Sequence, residues 1–320
     1  MNASSPHLTA LRRWDAIDVA RGIAIVAMVI YHFAWDLSFL RLIPGSIIGD
    51  PAWNWFARAI AGSFLTLVGI GLALAHASGF RRSAFLKRLA KVGGAALAVT
   101  LVTVLAFPQS YIFFGILHCI AVSSVLALAF LRVPGWLIAA AAASSFAAPL
   151  ILTQPALDHP ALDWLGLGSE DPLTNDYVPL LPWFGAVLVG LEIGRLFLGR
   201  GETMGLAQWR PGGALGRGLA RMGRHSLAIY LIHQPVLLAV LYGVLALTGP
   251  NSTAVFVGQC RADCERQSGN PAMCRTFCPC VADRLKSTGD FARVIANEAD
   301  PSLATKVTEA AQVCLRRNPT

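Results

Sequence analysis

Four ionisable residues share one face of an otherwise apolar segment near the start of the chain. At about 100° per residue, Asp18, Arg21, His32 and Asp36 fall within roughly 60° of one another on a helix. The residues between Arg21 and His32 are almost wholly apolar, and 1.5 Å per residue places those two side chains ~16 Å apart. A polar seam through a hydrophobic helix faces protein rather than lipid and marks a functional position. Other apolar segments carry polar groups of their own: Arg58 in the second, His118 in the fourth, and Tyr230, His233 and Gln234 in the seventh. Neutral imidazoles in a dry interior need partners, and a group titrating near neutrality suits proton transfer. His32 is the expected general base, because Asp36 one turn on would fix its tautomer and raise its basicity. Glu192 and Arg195, three apart, read as an interfacial pair. Asp15, Asp18 and Arg21 also suit a helix anchor, through capping and helix pairing.

These groups must be held by a membrane protein. Of 320 residues, 55% are hydrophobic and 14% charged, with mean hydropathy +0.57, against about 25% charged in soluble domains. The expected fold is all-α, a polytopic bundle of about seven spans near residues 16–39, 53–77, 88–107, 111–131, 134–152, 178–199 and 226–248. Each has the length that crosses a ~30 Å hydrocarbon core. No internal repeat is visible, which argues against inverted-repeat transporters. The apolar run behind Arg12 and Arg13 is too long for a signal peptide and lacks a small-residue cleavage site, so it reads as an uncleaved first helix.

The net charge of +8 does not point to nucleic acid, because the basic residues sit in the connections between spans. Arg81, Arg82, Lys87, Arg88 and Lys91 surround the second-to-third connection. Arg195, Arg200, Arg210, Arg217, Arg221 and Arg224 crowd the sixth-to-seventh. The fifth-to-sixth connection has Asp158, Asp163, Glu170, Asp171 and Asp176 and no Lys or Arg. The positive-inside rule then predicts a bacterial inner-membrane protein with its N-terminus cytoplasmic and its C-terminal tail periplasmic.

The division expected is a membrane body over 1–250 and a Cys-rich tail over 251–320. Six of seven cysteines lie in the tail, and an exported location suits disulfides. Cys260 and Cys264, then Cys274 and Cys278, each four apart, lie on single helical faces around the turn 268–271. A hairpin laddered as Cys260–Cys278 and Cys264–Cys274, with Cys280 reaching Cys314, is one of fifteen connectivities that six cysteines allow. Metal binding is the runner-up, disfavoured by the missing histidine partners, so no metal is expected.

The spacing Arg12-x2-Asp15-x2-Asp18-x2-Arg21-Gly22, followed by Met28-x3-His32-x3-Asp36, resembles the opening of a bacterial group related to the heparan-alpha-glucosaminide N-acetyltransferase catalytic domain. That group lies within the wider transmembrane acyltransferases. Residues 64–69, 111–118, 178–185 and 223–235 fit it as well, so the resemblance covers about 12–245 and leaves out the tail. It implies transfer of acetyl from cytosolic acetyl-CoA to an amino sugar or glycan hydroxyl on the far side. Under it, Arg21, Arg81, Arg82, Arg221 and Arg224 would hold the donor's phosphates. Asp18, Arg58, Trp183, Tyr230 and Gln234 would bind substrate, and His118 or His233 would lie near the thioester. The lysosomal-type enzyme uses a histidine in the loop after its first core helix. Residues 33–75 contain none, so that role falls to His32, His118 or His233, with Asp36 beside the first. Seven spans are few for a CoA tunnel, and a homodimer is one way to complete it. The competing readings are a membrane anchor that presents the tail and a transporter of a small polar solute.

Overall fold

Apolar stretches long enough to cross a bilayer become helices, because a backbone in hydrocarbon must satisfy its own polar groups. A computed structural model describes residues 14–40, 42–43, 47, 49–200, 205–248, 252–296 and 300–317, and within them the chain is all-helical. Arg12 and Arg13 lie outside the described residues. Among those described, six helices of 18 to 25 residues have the length and hydropathy of membrane spans. They are α1 (Asp15–Phe39), α2 (Pro51–Ala75), α3 (Arg82–Ala106), α5 (Gly135–Leu152), α6 (Leu180–Arg200) and α8 (Ser226–Thr248). This is a multi-pass membrane protein.

The fourth predicted span is shorter than expected. Helix α4 (Ile116–Leu126), continued by a 3-10 turn at Ala127–Phe130, is a shorter apolar helix within the span expected over 111–131. Residues 110–114 are instead drawn into long-range backbone bonds: Asn175 N–H donates to Ser110 O, and Val178 N–H to Phe114 O. Between α6 and α8 lies a helix that the sequence did not announce, α7 (Gly213–Arg224).

The described residues form two compact units. One holds residues up to Val29 with Trp55–His233; the other holds Ile30–Asn54 with the chain from Gln234 onward. In the first unit, glycines let helix backbones touch. A Cβ on Gly69 would lie 2.0 Å from Val187 O, and one on Gly190 2.0 Å from Thr66 O, so α2 and α6 meet backbone to backbone. Small residues at such crossings raise dispersion contact where lipid offers no hydrophobic drive. Helix α7 docks on α1 the same way, with Gly22 against Leu219 O and Gly223 against Asp18 O. Leu65, Leu72, Ile138, Val187, Leu188 and Leu191 form the buried centre of this unit. Glu192 and Arg195 do pair, at 3.4 Å, and Arg195 also donates to Val133 O.

In the second unit the tail is a stapled helical module of α9 (Ser252–Ser268), α10 (Pro271–Ser287), the short α11 (Phe291–Ile295) and α12 (Pro301–Arg317). Gly269 takes a left-handed φ of +64° at the turn, and the Asn270 side chain caps α10 by accepting from Met273 N–H. The cysteines pair as Cys260–Cys278, Cys264–Cys274 and Cys280–Cys314. Val281, Ala282, Leu285, Phe291 and Ala310 pack inside. So small a core depends on its staples.

One ion cluster gives the tail an acid limit. Lys306 Nζ donates to the buried Asp290 carboxylate at 2.5 Å, and Thr288 and Arg293 add to the hold that keeps this group below the usual carboxylate range. A lowered native pKa stabilises above the unfolded value, and that stability is lost as pH falls through the native one. Tail melting should therefore fall more between about pH 7 and pH 3 in wild type than in Asp290→Asn, as read by thermal unfolding of the full chain.

Candidate functional site

The polar groups of the first unit gather at two places. The first is the basic end of α1. Asp18, 1% exposed, pairs with Arg21 at 3.5 Å. Asp15 pairs with Arg210 at 3.5 Å and with Arg224 at 4.0 Å. Because Arg217, Arg221 and Arg224 recur at helical spacing, α7 turns them to one side. With Arg210 and Asp15 they line a cavity of about 510 Å³. Four guanidiniums and one carboxylate leave that cavity cationic. Arg21 points elsewhere, toward Gly71 on α2. Arg81 and Arg82 stand exposed at the start of α3 and do not line the cavity.

The second place is the start of α4. Gly115 N–H donates to His118 Nδ1 at 3.2 Å, so His118 caps its own helix. The Thr100 hydroxyl donates to Ile112 O at 2.7 Å and lies 3.2 Å from His118 Nε2. With that hydroxyl proton committed, Nε2 carries the imidazole hydrogen. Both nitrogens of His118 therefore serve the fold, and neither presents a lone pair to a substrate.

Asp176, which sequence reasoning counted only as one acid of a loop, enters this place from the α5–α6 connection. Its Oδ2 accepts from Ile116 N–H at 3.0 Å and from the Tyr230 hydroxyl at 3.5 Å. Burial pushes its carboxyl above the ordinary range against those two bonds. A Cβ on Gly115 would lie 2.2 Å from that oxygen, so the glycine makes room for the carboxylate. Nothing local in the sequence signals this, because the partners lie 60 and 54 residues away.

Tyr230 continues the chain of contacts. Its carbonyl accepts from His233 Nδ1 at 2.6 Å. A carbonyl only accepts, so the proton sits on Nδ1 and the buried Nε2 holds the lone pair. That is the tautomer of a base. Trp183 lies among the core residues facing Gly62, and Arg58 stacks over Trp55 at 5.7 Å. Neither joins the His118–Asp176–Tyr230 group.

In the second unit, Asp36 is fully buried. Its Oδ1 accepts from Gln234 Nε2 at 2.5 Å, while Oδ2 and Gln234 Oε1 have no hydrogen-bond partner among the described residues. Gln234 is thus a partner of Asp36. His32 is half-buried, edge-on to Tyr31, whose ring lies 6.1 Å from that of Trp53.

Comparison with known proteins adds one finding. The family model described as "Heparan-alpha-glucosaminide N-acetyltransferase, catalytic" matches residues 13–235. No curated protein and no solved structure matches the chain. The matched stretch contains both places described in the first unit and stops before the tail.

Proposed function

Because the chain belongs to the family of heparan-alpha-glucosaminide N-acetyltransferase catalytic domains, we propose that it moves an acetyl group from cytosolic acyl-CoA to an extracytoplasmic amino sugar or glycan hydroxyl. The observation that carries this reading beyond family membership is the arginine-lined cavity of about 510 Å³. A donor bearing a phosphomonoester and a diphosphate needs several planar, always-charged donors that do not titrate away, and Arg210, Arg217, Arg221 and Arg224 supply them. Arg21 extends the basic face along α1, and the exposed Arg81 and Arg82 add long-range attraction for an anion. This end is cytoplasmic in our reading, with the acidic α5–α6 connection on the acceptor's side.

Chemistry requires a base for the acceptor. His233 fills that role, since its Nδ1–H is committed to Tyr230 O and its Nε2 carries the lone pair that takes a proton. The acceptor amine or hydroxyl attacks the thioester carbonyl carbon and gives its proton to Nε2. The tetrahedral oxyanion then collapses, the C–S bond breaks, and the imidazolium returns the proton to the leaving thiolate. His118 holds the α4 start, and Asp176 and Tyr230 hold α8 to it. His32 is the base if His233 is not.

Donor binding tests the cavity. Arg217 and Arg221 have no ion pair among the described residues, so their loss should not unbalance the fold. The double variant Arg217→Gln/Arg221→Gln should weaken acetyl-CoA binding by about 10–100-fold and flatten its salt dependence. Titration calorimetry on the protein in nanodiscs reads both. Unchanged affinity would remove the cavity from the donor site.

A further inference from the structure

Arg88 is a charged residue on the apolar interior side of α3. It sits on α3, half-buried, and its charged neighbour is Arg21. Both guanidiniums converge on one glycine of α2. A Cβ on Gly71 would lie 2.8 Å from Arg21 Nη2 and 3.7 Å from Arg88 Nη1. Arg21 has Asp18 at 3.5 Å. Among the described residues no carboxylate pairs with Arg88, and its other surroundings are Leu72, Phe85, Leu89, Val92 and Ala121, with Ser124. Two like charges brought together against a dry wall repel strongly, because low dielectric removes the screening that water would give. Proteins normally relieve such a pair with an acid; here the trio of Asp18, Arg21 and Arg88 keeps a net positive charge.

We propose that Arg21 and Arg88 form a clamp over Gly71 for a diphosphate group. The chemistry fits in three respects. A diphosphate offers oxygens to two guanidinium forks at once, each bidentate. The missing side chain at Gly71 lets both guanidiniums stand close to the α2 backbone, which sets them side by side. The apolar wall strengthens the attraction once the anion is in place. Resting on the donor reading above, the ligand is the diphosphate diester of acyl-CoA. Asp15 of the arginine cavity and Arg21 of the clamp are six residues apart on α1, about 9 Å along the axis, so the two sites adjoin.

The test uses the full chain in nanodiscs, with inorganic pyrophosphate and acetyl-CoA as separate probes and titration calorimetry as readout. Wild type should bind both. Arg88→Gln should weaken each by about tenfold or more, and Arg88→Lys should recover only part of the loss, since a point charge lacks the fork. Gly71→Ala, which pushes on Arg21 without removing charge, should weaken pyrophosphate as well. Thermal melting checks that each variant is folded, and Arg88→Lys keeps the test open should Arg88→Gln fail that check. Pyrophosphate bound equally by wild type, Arg88→Gln and Arg88→Lys would overturn the clamp. So would acetyl-CoA bound equally by those three, which would leave the donor reading intact. Arg88-dependent binding of pyrophosphate with no binding of acetyl-CoA would keep the clamp and discard the donor reading.

Discussion

Replacing His233 with alanine is expected to lower acetyl transfer by about 10²–10⁴-fold while leaving acetyl-CoA affinity unchanged, the range that a positioned general base contributes. The expectation rests on tautomer. Nδ1 is committed to Tyr230 O at 2.6 Å, so the lone pair stands on Nε2 in the form that accepts a proton. His118 provides the contrast. Its ring bonds to Gly115 N–H and Thr100, so His118→Ala should cost about 1–2 kcal/mol of stability through the lost cap, with a smaller loss of turnover. Steady-state kinetics beside thermal melting separates the two. Full activity in His233→Ala would hand the base role to His32.

The second large effect is structural. Gly190→Ala should destabilise the membrane body by about 3 kcal/mol or more, at the upper end of overpacking costs. The new methyl would meet Thr66 O at 2.0 Å, and α2 backbone has no rotamer with which to give way. Gly199, nine residues further along the same helix, has nothing within 4 Å of its Cβ position. Gly199→Ala should be neutral or slightly stabilising, because alanine favours helix. Melting of the two variants in one detergent compares a chemically identical change at a closed and an open position.

How much of this was legible in the sequence depended on range. The long spans were plain from hydropathy, and of the fifteen pairings open to six cysteines the observed one is the ladder suggested by cysteines four apart on either side of a Gly-Asn-Pro turn. The length of α4 was not, because its start is set by bonds from Asn175 and Val178 and by the His118 side chain. Helix α7 was hidden by composition: four glycines among its residues 213–224 lower its intrinsic propensity, and packing against Gly22 and Asp18 supplies what the sequence lacks. Among site residues, Asp36 is buried, and its bond to Gln234, 198 residues away, had no signal in the local sequence. Asp176 and Arg88 looked like ordinary loop charges. Periodicity reports which face a residue occupies; it is silent about what another helix brings to that face.

The decisive measurement is acetyl transfer across a sealed membrane. Inside-out vesicles carrying the wild-type chain would receive labelled acetyl-CoA outside and glucosamine within, with His233→Ala vesicles alongside. Labelled N-acetylated sugar is expected in the lumen of wild-type vesicles, with a signal lower by about two orders of magnitude or more in the variant. No labelled product in wild type, together with no binding of acetyl-CoA, would contradict it and leave the chain as an anchor for its disulfide-stapled tail or a carrier of a small polar solute.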